Sequence, residues 1–153
     1  MGKSSSGLDR SPVHLLHRAW QCAEMIFHAQ VNLGGLTPRQ LAVLVTVAQH
    51  KGVNQTGLVD RTGIDRTTVG EMVRRLQRKG LLQRQRARGD ARAYVVRLTD
   101  EGRRILRRAE PLADNVDERI LEALPSGQRR AEFMGALQTI ASILQPQGRA
   151  DSP

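Results

Sequence analysis

Cysteine is nearly missing from this chain. Cys22 is the only one in 153 residues, which excludes an internal disulfide framework and any site built from several thiolates, and points to a reducing, cytoplasmic compartment. Long apolar runs are also missing: no stretch approaches the length of a membrane span, and the polar start MGKSSSGLDR lacks the apolar core of a secretory signal. Gly2 and Ser6 fit the loose acylation pattern, but one acyl chain without a second membrane signal anchors weakly, so residues 1–10 read as a disordered tail and no membrane partner is expected. Catalytic signatures are lacking too. There is no HExxH, no phosphate-cradling glycine loop, no CxxC and no nucleophile elbow, while Asp100-Glu101 and Asp117-Glu118 fall where acids serve as helix caps or solvated faces. Neither an enzyme nor a cofactor is expected.

Acidic residues are scarce in one segment only. Between Arg61 and Arg108 the chain has fifteen Lys/Arg against five Asp/Glu, whereas all other residues together have nine against ten. A cationic excess this local is the footprint of a polyanion, most often a nucleic acid, because neutralising phosphates releases condensed counterions. Its densest part, RQRARGDAR at 84–92, places four arginines around Gly89. The tripeptide Arg88-Gly89-Asp90 within it matches a cell-adhesion motif at a frequency close to chance.

What remains is amphipathic helix, in a length suited to one domain. From Pro12 to Val31 the residues Leu15, Leu16, Ala19, Cys22, Ala23, Ile26 and Phe27 make a helical stripe. Gly34-Gly35 ends it. Thr37-Pro38-Arg39-Gln40 then opens a second helix with a capping box, and Leu41, Leu44, Val45 and Ala48 form its expected buried face. Asn54 can cap a short helix over 55–62, Gly63 supplies a turn, and Asp65 can cap another over 66–79 with Val69, Met72, Val73 and Leu76 inward. The opposite face carries Arg66, Thr67, Thr68, Gly70, Glu71, Arg74 and Arg75. This is the pattern of a helix-turn-helix, with the N-terminal polar residues of its second helix free to meet base edges and a helix N-terminus that favours a nearby phosphate.

Leu81 to Arg86 then reads as a strand, Ala87 to Ala91 as a turn and Arg92 to Leu98 as the return, with Tyr94, Val96 and Leu98 on one face and Ala93, Val95 and Arg97 on the other. A hairpin in that place is a wing whose arginines suit a narrow minor groove. Thr99 caps a further helix whose stripe, Ile105, Ala109, Leu112, Val116 and Ile120, survives Pro111, which should bend the helix without ending it. After Pro125-Ser126-Gly127 a last helix is marked by Phe133, Leu137, Ile140 and Leu144. The fold expected is mainly α with a small β-hairpin wing. It is a single domain over 11–145: a winged helix-turn-helix DNA-binding lobe over 36–102, dimerisation helices over 11–35 and 103–145, and disordered tails at 1–10 and 146–153.

From Leu36 to Leu106 the residues LTPRQLAVL, TGIDRTTV, RRLQRKGLL and above all GDARAYVVRLTDEG resemble the MarR family of bacterial winged helix-turn-helix transcription regulators. The resemblance implies a homodimer with intertwined terminal helices, reading a pseudo-palindromic operator in double-stranded DNA of the bacterial nucleoid. It also implies that Asp90 braces the wing, that Arg92 contacts DNA and that Arg88 lies near the tip. Ala91 stands where many members have a second arginine, which shifts the expected minor-groove grip onto Arg86 and Arg88. The apolar stripes at both ends support a dimer independently, since one small lobe cannot cover them.

For sensing, the preferred reading is a small effector, an aromatic carboxylate or its thioester as often bound in the family, held by His17, Arg18, Trp20, Phe27 and His28. Trp20 has an alternative reading as a core anchor. Some members of the family sense peroxides through a cysteine in the first helix, so Cys22 is the redox candidate, but its place on the stripe favours inert packing and the only tyrosine is Tyr94, in the wing. His14, His17, His28 and His50 lack the clustered partners that a metal site needs, so none is expected. A constitutive architectural DNA binder is the rival from another class, and the varied base-reading chemistry over 66–71 argues against it.

Overall fold

The computed structural model describes residues 7–87 and 89–143, with residues 90–92 described by their backbone alone. Arg88, the side chains of Asp90 and Arg92, Leu144 and the tail assigned to 146–153 lie outside the described residues. In chain order the elements are a 3-10 turn (Gly7–Arg10), α1 (Pro12–Gln30), α2 (Pro38–Gln49), α3 (Gln55–Thr62), α4 (Arg66–Arg78), β1 (Leu82–Ala87), β2 (Asp90–Leu98), α5 (Asp100–Glu122) and α6 (Gly127–Ile143). The 3-10 turn occupies four residues of the expected disordered tail over 1–10. No described helix is long and apolar enough to cross a membrane.

Local chemistry sets the helix starts. Thr37 accepts from the Gln40 amide at 3.2 Å while the Gln40 side chain accepts from the Thr37 amide, closing the expected capping box. Asn54, Asp65 and Thr99 each accept from the backbone N–H three residues on, which satisfies donors that an α-helix leaves open at its start. Helix α5 runs unbroken through Pro111. Proline there removes one N–H, so the Arg107 carbonyl loses its intrahelical partner.

The core lies between α2, α3 and α4, the base of the hairpin, the first half of α5 and the C-terminal end of α1. Leu36, Leu44, Leu58, Leu76, Val43, Val69 and Val73 are fully enclosed, joined by Leu82, Val96 and Leu98 from the hairpin and by Leu106, Ala109 and Val116 from α5. Each such leucine contributes about 1.5–3 kcal/mol by leaving water. On α2 the buried face is rotated from the expected one: Val43 and Val47 are inside, Val45 is half-buried and Ala48 is exposed.

The stripe of α1 is left largely uncovered by this chain, as expected of a terminal stripe that one small lobe cannot cover. Only Phe27 is buried on that helix, while Leu15, Leu16, Ala19 and Cys22 are exposed. Cys22 is therefore not a packed core thiol of this chain, and Trp20, 40% exposed, is not a core anchor. No residue of α6 is buried. Of the large hydrophobic side chains left exposed among the described residues, all except Tyr94 lie on the 3-10 turn, α1 or α6.

The hairpin pairs antiparallel from Leu82↔Leu98 to Arg86↔Tyr94, then shifts register so that Ala87 faces Asp90. β2 therefore begins two residues before the expected return at Arg92, inside the predicted turn. Its base is clamped to α5. Thr99 donates its amide to the Leu81 carbonyl at 3.1 Å and its hydroxyl to the Gly80 carbonyl at 2.6 Å, and accepts from the Gly102 amide at 2.9 Å. Gly102 lies so close that a Cβ there would overlap the Leu81 carbonyl oxygen and press on Leu98 Cδ2 at 3.1 Å. Gly102→Ala must therefore separate α5 from the wing base, at an expected cost of about 2–3 kcal/mol as for other overpacked sites. Urea unfolding measures this, and a wild-type midpoint would overturn the steric account.

Candidate nucleic-acid interface

The turn between α3 and α4 is built from short-range bonds. Gly63 closes α3 in the left-handed conformation (φ 66°), which a side chain would disfavour. The Thr62 hydroxyl donates to the Leu58 carbonyl at 2.6 Å and accepts from the Ile64 amide at 3.3 Å. Across the turn, Gln55 Nε2 donates to the Arg66 carbonyl at 3.1 Å, and Arg66 Nη2 donates to the Thr56 hydroxyl at 2.7 Å. The first turn of α4 is thus held by the first turn of α3, and its exposed side chains inherit the rigidity of the scaffold.

Of the residues expected to meet DNA, Arg66, Thr67, Glu71, Arg74 and Arg75 are exposed on α4 and Thr68 is half-buried. Gly70 is the exception. It is buried, and a Cβ there would come within 2.9 Å of Gln55 Nε2, so its role is to let α3 approach and not to face a base. The N-terminus of α4 carries an anion of the chain itself. Asp65 Oδ1 accepts from the Thr68 amide at 2.9 Å, and bonding to Thr68 holds the Asp65 carboxyl below its ordinary range.

On the wing Arg84 and Arg86 are exposed, and Arg86 stands opposite Tyr94, which is 49% exposed instead of sharing the buried face of Val96 and Leu98. The backbone of Asp90 and Arg92 lies in β2.

Part of the basic segment has structural work. Lys79 Nζ donates to the Gly34 and Gly35 carbonyls at 2.9 and 3.3 Å, which ties the end of α4 to the loop after α1. Arg103 and Arg104 pair with Asp100 and Glu101 at the start of α5, and Arg104 holds the Glu101 carboxyl below its ordinary range. Sequence reasoning had no signal for the Lys79 contact, because its partners are backbone atoms far away in the chain.

The expected effector residues are not gathered into one cavity by this chain. Phe27 is in the core with its ring edge-on to His28 at 6.0 Å, while His17, Arg18, Trp20 and His28 are exposed. Trp20 has a neighbour that the sequence did not reveal: the Arg39 guanidinium sits 5.8 Å from its ring centre, joining α1 to the start of α2. Among the described residues no three His, Cys, Asp or Glu side chains are grouped to hold a metal ion.

Residues 34–93 match the sequence model of the MarR family. The transcriptional regulator HosA of Escherichia coli O111:H- is 37% identical over 105 residues, covering 69% of this chain and 77% of that protein. The transcriptional repressor CouR, solved on a 23-mer DNA duplex, is similar with a TM-score of 0.81 and 31% identity over 92% of this chain and 99% of that one. CouR from Rhodococcus jostii RHA1 with p-coumaroyl-CoA gives a TM-score of 0.75 and 27% identity, covering 94% of this chain and 98% of that one. BpsR of Bordetella bronchiseptica, whose DNA binding is regulated by 6-hydroxynicotinic acid, gives a TM-score of 0.79 and 26% identity over 86% of this chain and 93% of that one.

The Asp65 cap carries a prediction with a definite sign. Because its folded pKa is lowered, its stabilisation is complete above the ordinary aspartate range and disappears as pH falls through that range and then through the lower folded value. Asp65→Ala should therefore speed amide exchange at Thr68 near neutral pH, and the difference from wild type should vanish in acid. Equal exchange at neutral pH would contradict the cap's role.

Proposed function

The chain belongs to the MarR family of DNA-binding transcriptional regulators, and from that premise we propose that it is a homodimeric repressor. It binds a pseudo-palindromic operator and releases it when an aromatic carboxylate, or the thioester of one, binds beside α1. The observation that carries this reading is the placing of the exposed large apolar side chains among the described residues: all but Leu8 and Tyr94 belong to α1 and α6, whereas α4 exposes none and presents Arg66, Arg74, Arg75 and Arg78. A helix of seventeen residues without a buried side chain gains too little from its own chain to be stable in water, so α6 needs a second surface. A second copy offers the same unpaired stripe by two-fold symmetry.

In such a dimer α4 enters the major groove with Arg66, Thr67 and Thr68 leading, and the wing reaches the adjacent minor groove through Arg86, Arg88 and Arg92, with Asp90 as brace. The two recognition helices lie about 34 Å apart, one turn of DNA. The effector reading is supported by the p-coumaroyl-CoA and 6-hydroxynicotinic acid of the similar regulators. On this chain His17, Arg18, Trp20 and His28 offer aromatic and cationic contacts on α1, and Arg39 on Trp20 links them to the lobe. Phe27, being in the core, can only back such a site.

Selection of tight-binding duplexes from a random pool should enrich an inverted repeat. Arg66→Ala and Thr67→Ala should each cost about 1–3 kcal/mol on it and relax the preference at one base step; no enrichment would leave an architectural binder. Sedimentation should give twice the chain mass for wild type, falling toward one chain for Leu16→Glu combined with Ile140→Glu, and a monomeric wild type would end the dimer reading. Exposure of Cys22 favours one second reading, a peroxide-responsive thiol. Loss of operator binding under peroxide, abolished in Cys22→Ser, would replace the aromatic effector by that switch.

A further inference from the structure

The face of the hairpin that points away from the core is set by the pairs Gln83↔Arg97 and Gln85↔Val95. The loop between α2 and α3 runs along the edge of β2 that β1 leaves open. Val96 donates its amide to the Val53 carbonyl at 2.8 Å, and Gly52 comes within ordinary contact distance of Val95. Gly52 has an open hollow on each side. One, of about 350 Å³, is bounded by Arg86 and Arg97 with Gln85 and Val95. The other, of about 430 Å³, is bounded by Lys51 and Arg61 with the start of α3 at Asn54 and Gly57. Gly52 lines both, so the two hollows adjoin and are taken together as one trough, and among the described residues no Asp or Glu lines either.

The ends of this trough are its telling feature. One end is at Arg86 on the wing. The other is at the first turn of α3, where Gln55 and Thr56 hold Arg66, the first residue of α4. On a duplex, a major groove and its neighbouring minor groove are separated by a single phosphodiester strand. When α4 occupies the first and the wing the second, that strand must cross the protein between them, and the trough occupies this position.

We propose that the trough is the seat of the DNA backbone strand that separates the two grooves, with Lys51 and Arg97 as its main phosphate contacts. This rests on the reading of α4 and the wing as the elements that enter DNA. Its polar, cationic lining suits a hydrated phosphodiester chain, whereas aromatic effectors favour enclosed apolar pockets. Contacts of this kind set affinity and register without selecting bases.

The test uses the full chain with Lys51→Gln and Arg97→Gln combined. Binding is followed by anisotropy on the selected operator and on a scrambled duplex of equal length, from about 50 to about 200 mM salt. Because both protomers of the dimer lose two contacts, the slope of log affinity against log salt should become shallower by about 4, roughly one for each lost phosphate contact. The low-salt affinity should fall by the same factor on both duplexes. Arg10→Gln, which removes a charge from the 3-10 turn, should leave the slope unchanged. An unaltered slope in a double variant with the wild-type melting temperature would overturn the proposal, as would a loss confined to the operator or an equal change in Arg10→Gln. If the wild type fails to distinguish operator from scrambled duplex, the groove reading fails instead, and the slope comparison still decides whether Lys51 and Arg97 meet phosphates.

Discussion

The approach of Gly102 to the Leu81 carbonyl is the constraint on which the arrangement of the molecule depends. Only hydrogen fits between α5 and the backbone that leads from α4 into the wing. Thr99 closes the same junction with bonds to Gly80 and Leu81 while capping α5. The recognition helix, the wing and the long helix that leaves the lobe therefore meet within a few residues, without a flexible linker between them. Leu76, Leu82, Leu98 and Leu106 bury the same junction from inside. A change in the direction of α5 must be carried to α4 and the wing together, which is what a regulator needs if events at its helical ends are to reach DNA.

Around that junction the surface divides by chemistry. Large apolar groups left in water cluster on α1 and α6, whereas α4 and the wing expose arginines and, among the described residues, a single large apolar side chain, Tyr94. Several cations inside the basic segment are not available to a polyanion in the same sense: Lys79 holds the loop after α1, and Arg103 and Arg104 pair with acids of their own helix. Charge counted along the chain therefore overstates the charge presented to DNA. Arg66 belongs to both groups, because its bond to Thr56 orders a side chain that also begins the exposed face of α4.

Much of this organisation was legible in the sequence because it rests on local chemistry. The caps at Thr37, Asn54, Asp65 and Thr99, the turn at Gly63 and the hairpin after α4 follow from residue types at fixed offsets, and each is present. Periodicity also carried α5 correctly through Pro111. What failed has a common cause: a period shows that a helix has an apolar stripe, not what covers it. Cys22 was expected to pack as an inert thiol and is exposed, while Phe27, expected in an effector cleft, is core. Gly70 was assigned outward because glycine has no side chain to reveal its direction, and only the nearness of Gln55 shows that it faces inward. Tyr94 follows the strand alternation but lies beyond the end of the core that the alternation was meant to cover.

Helix α5, continuous over 23 residues, is about 35 Å long at 1.5 Å per residue. A rod of that length, fixed at one end by the Gly102 junction, turns a tilt of about 5° into a sideways displacement of about 3 Å at the other. That is close to the spacing of neighbouring bases along a duplex. The lever runs in both directions: a small angular adjustment of the terminal helices shifts the winged lobe by a distance of that order, and a lobe held in place fixes the direction of the helix that leaves it.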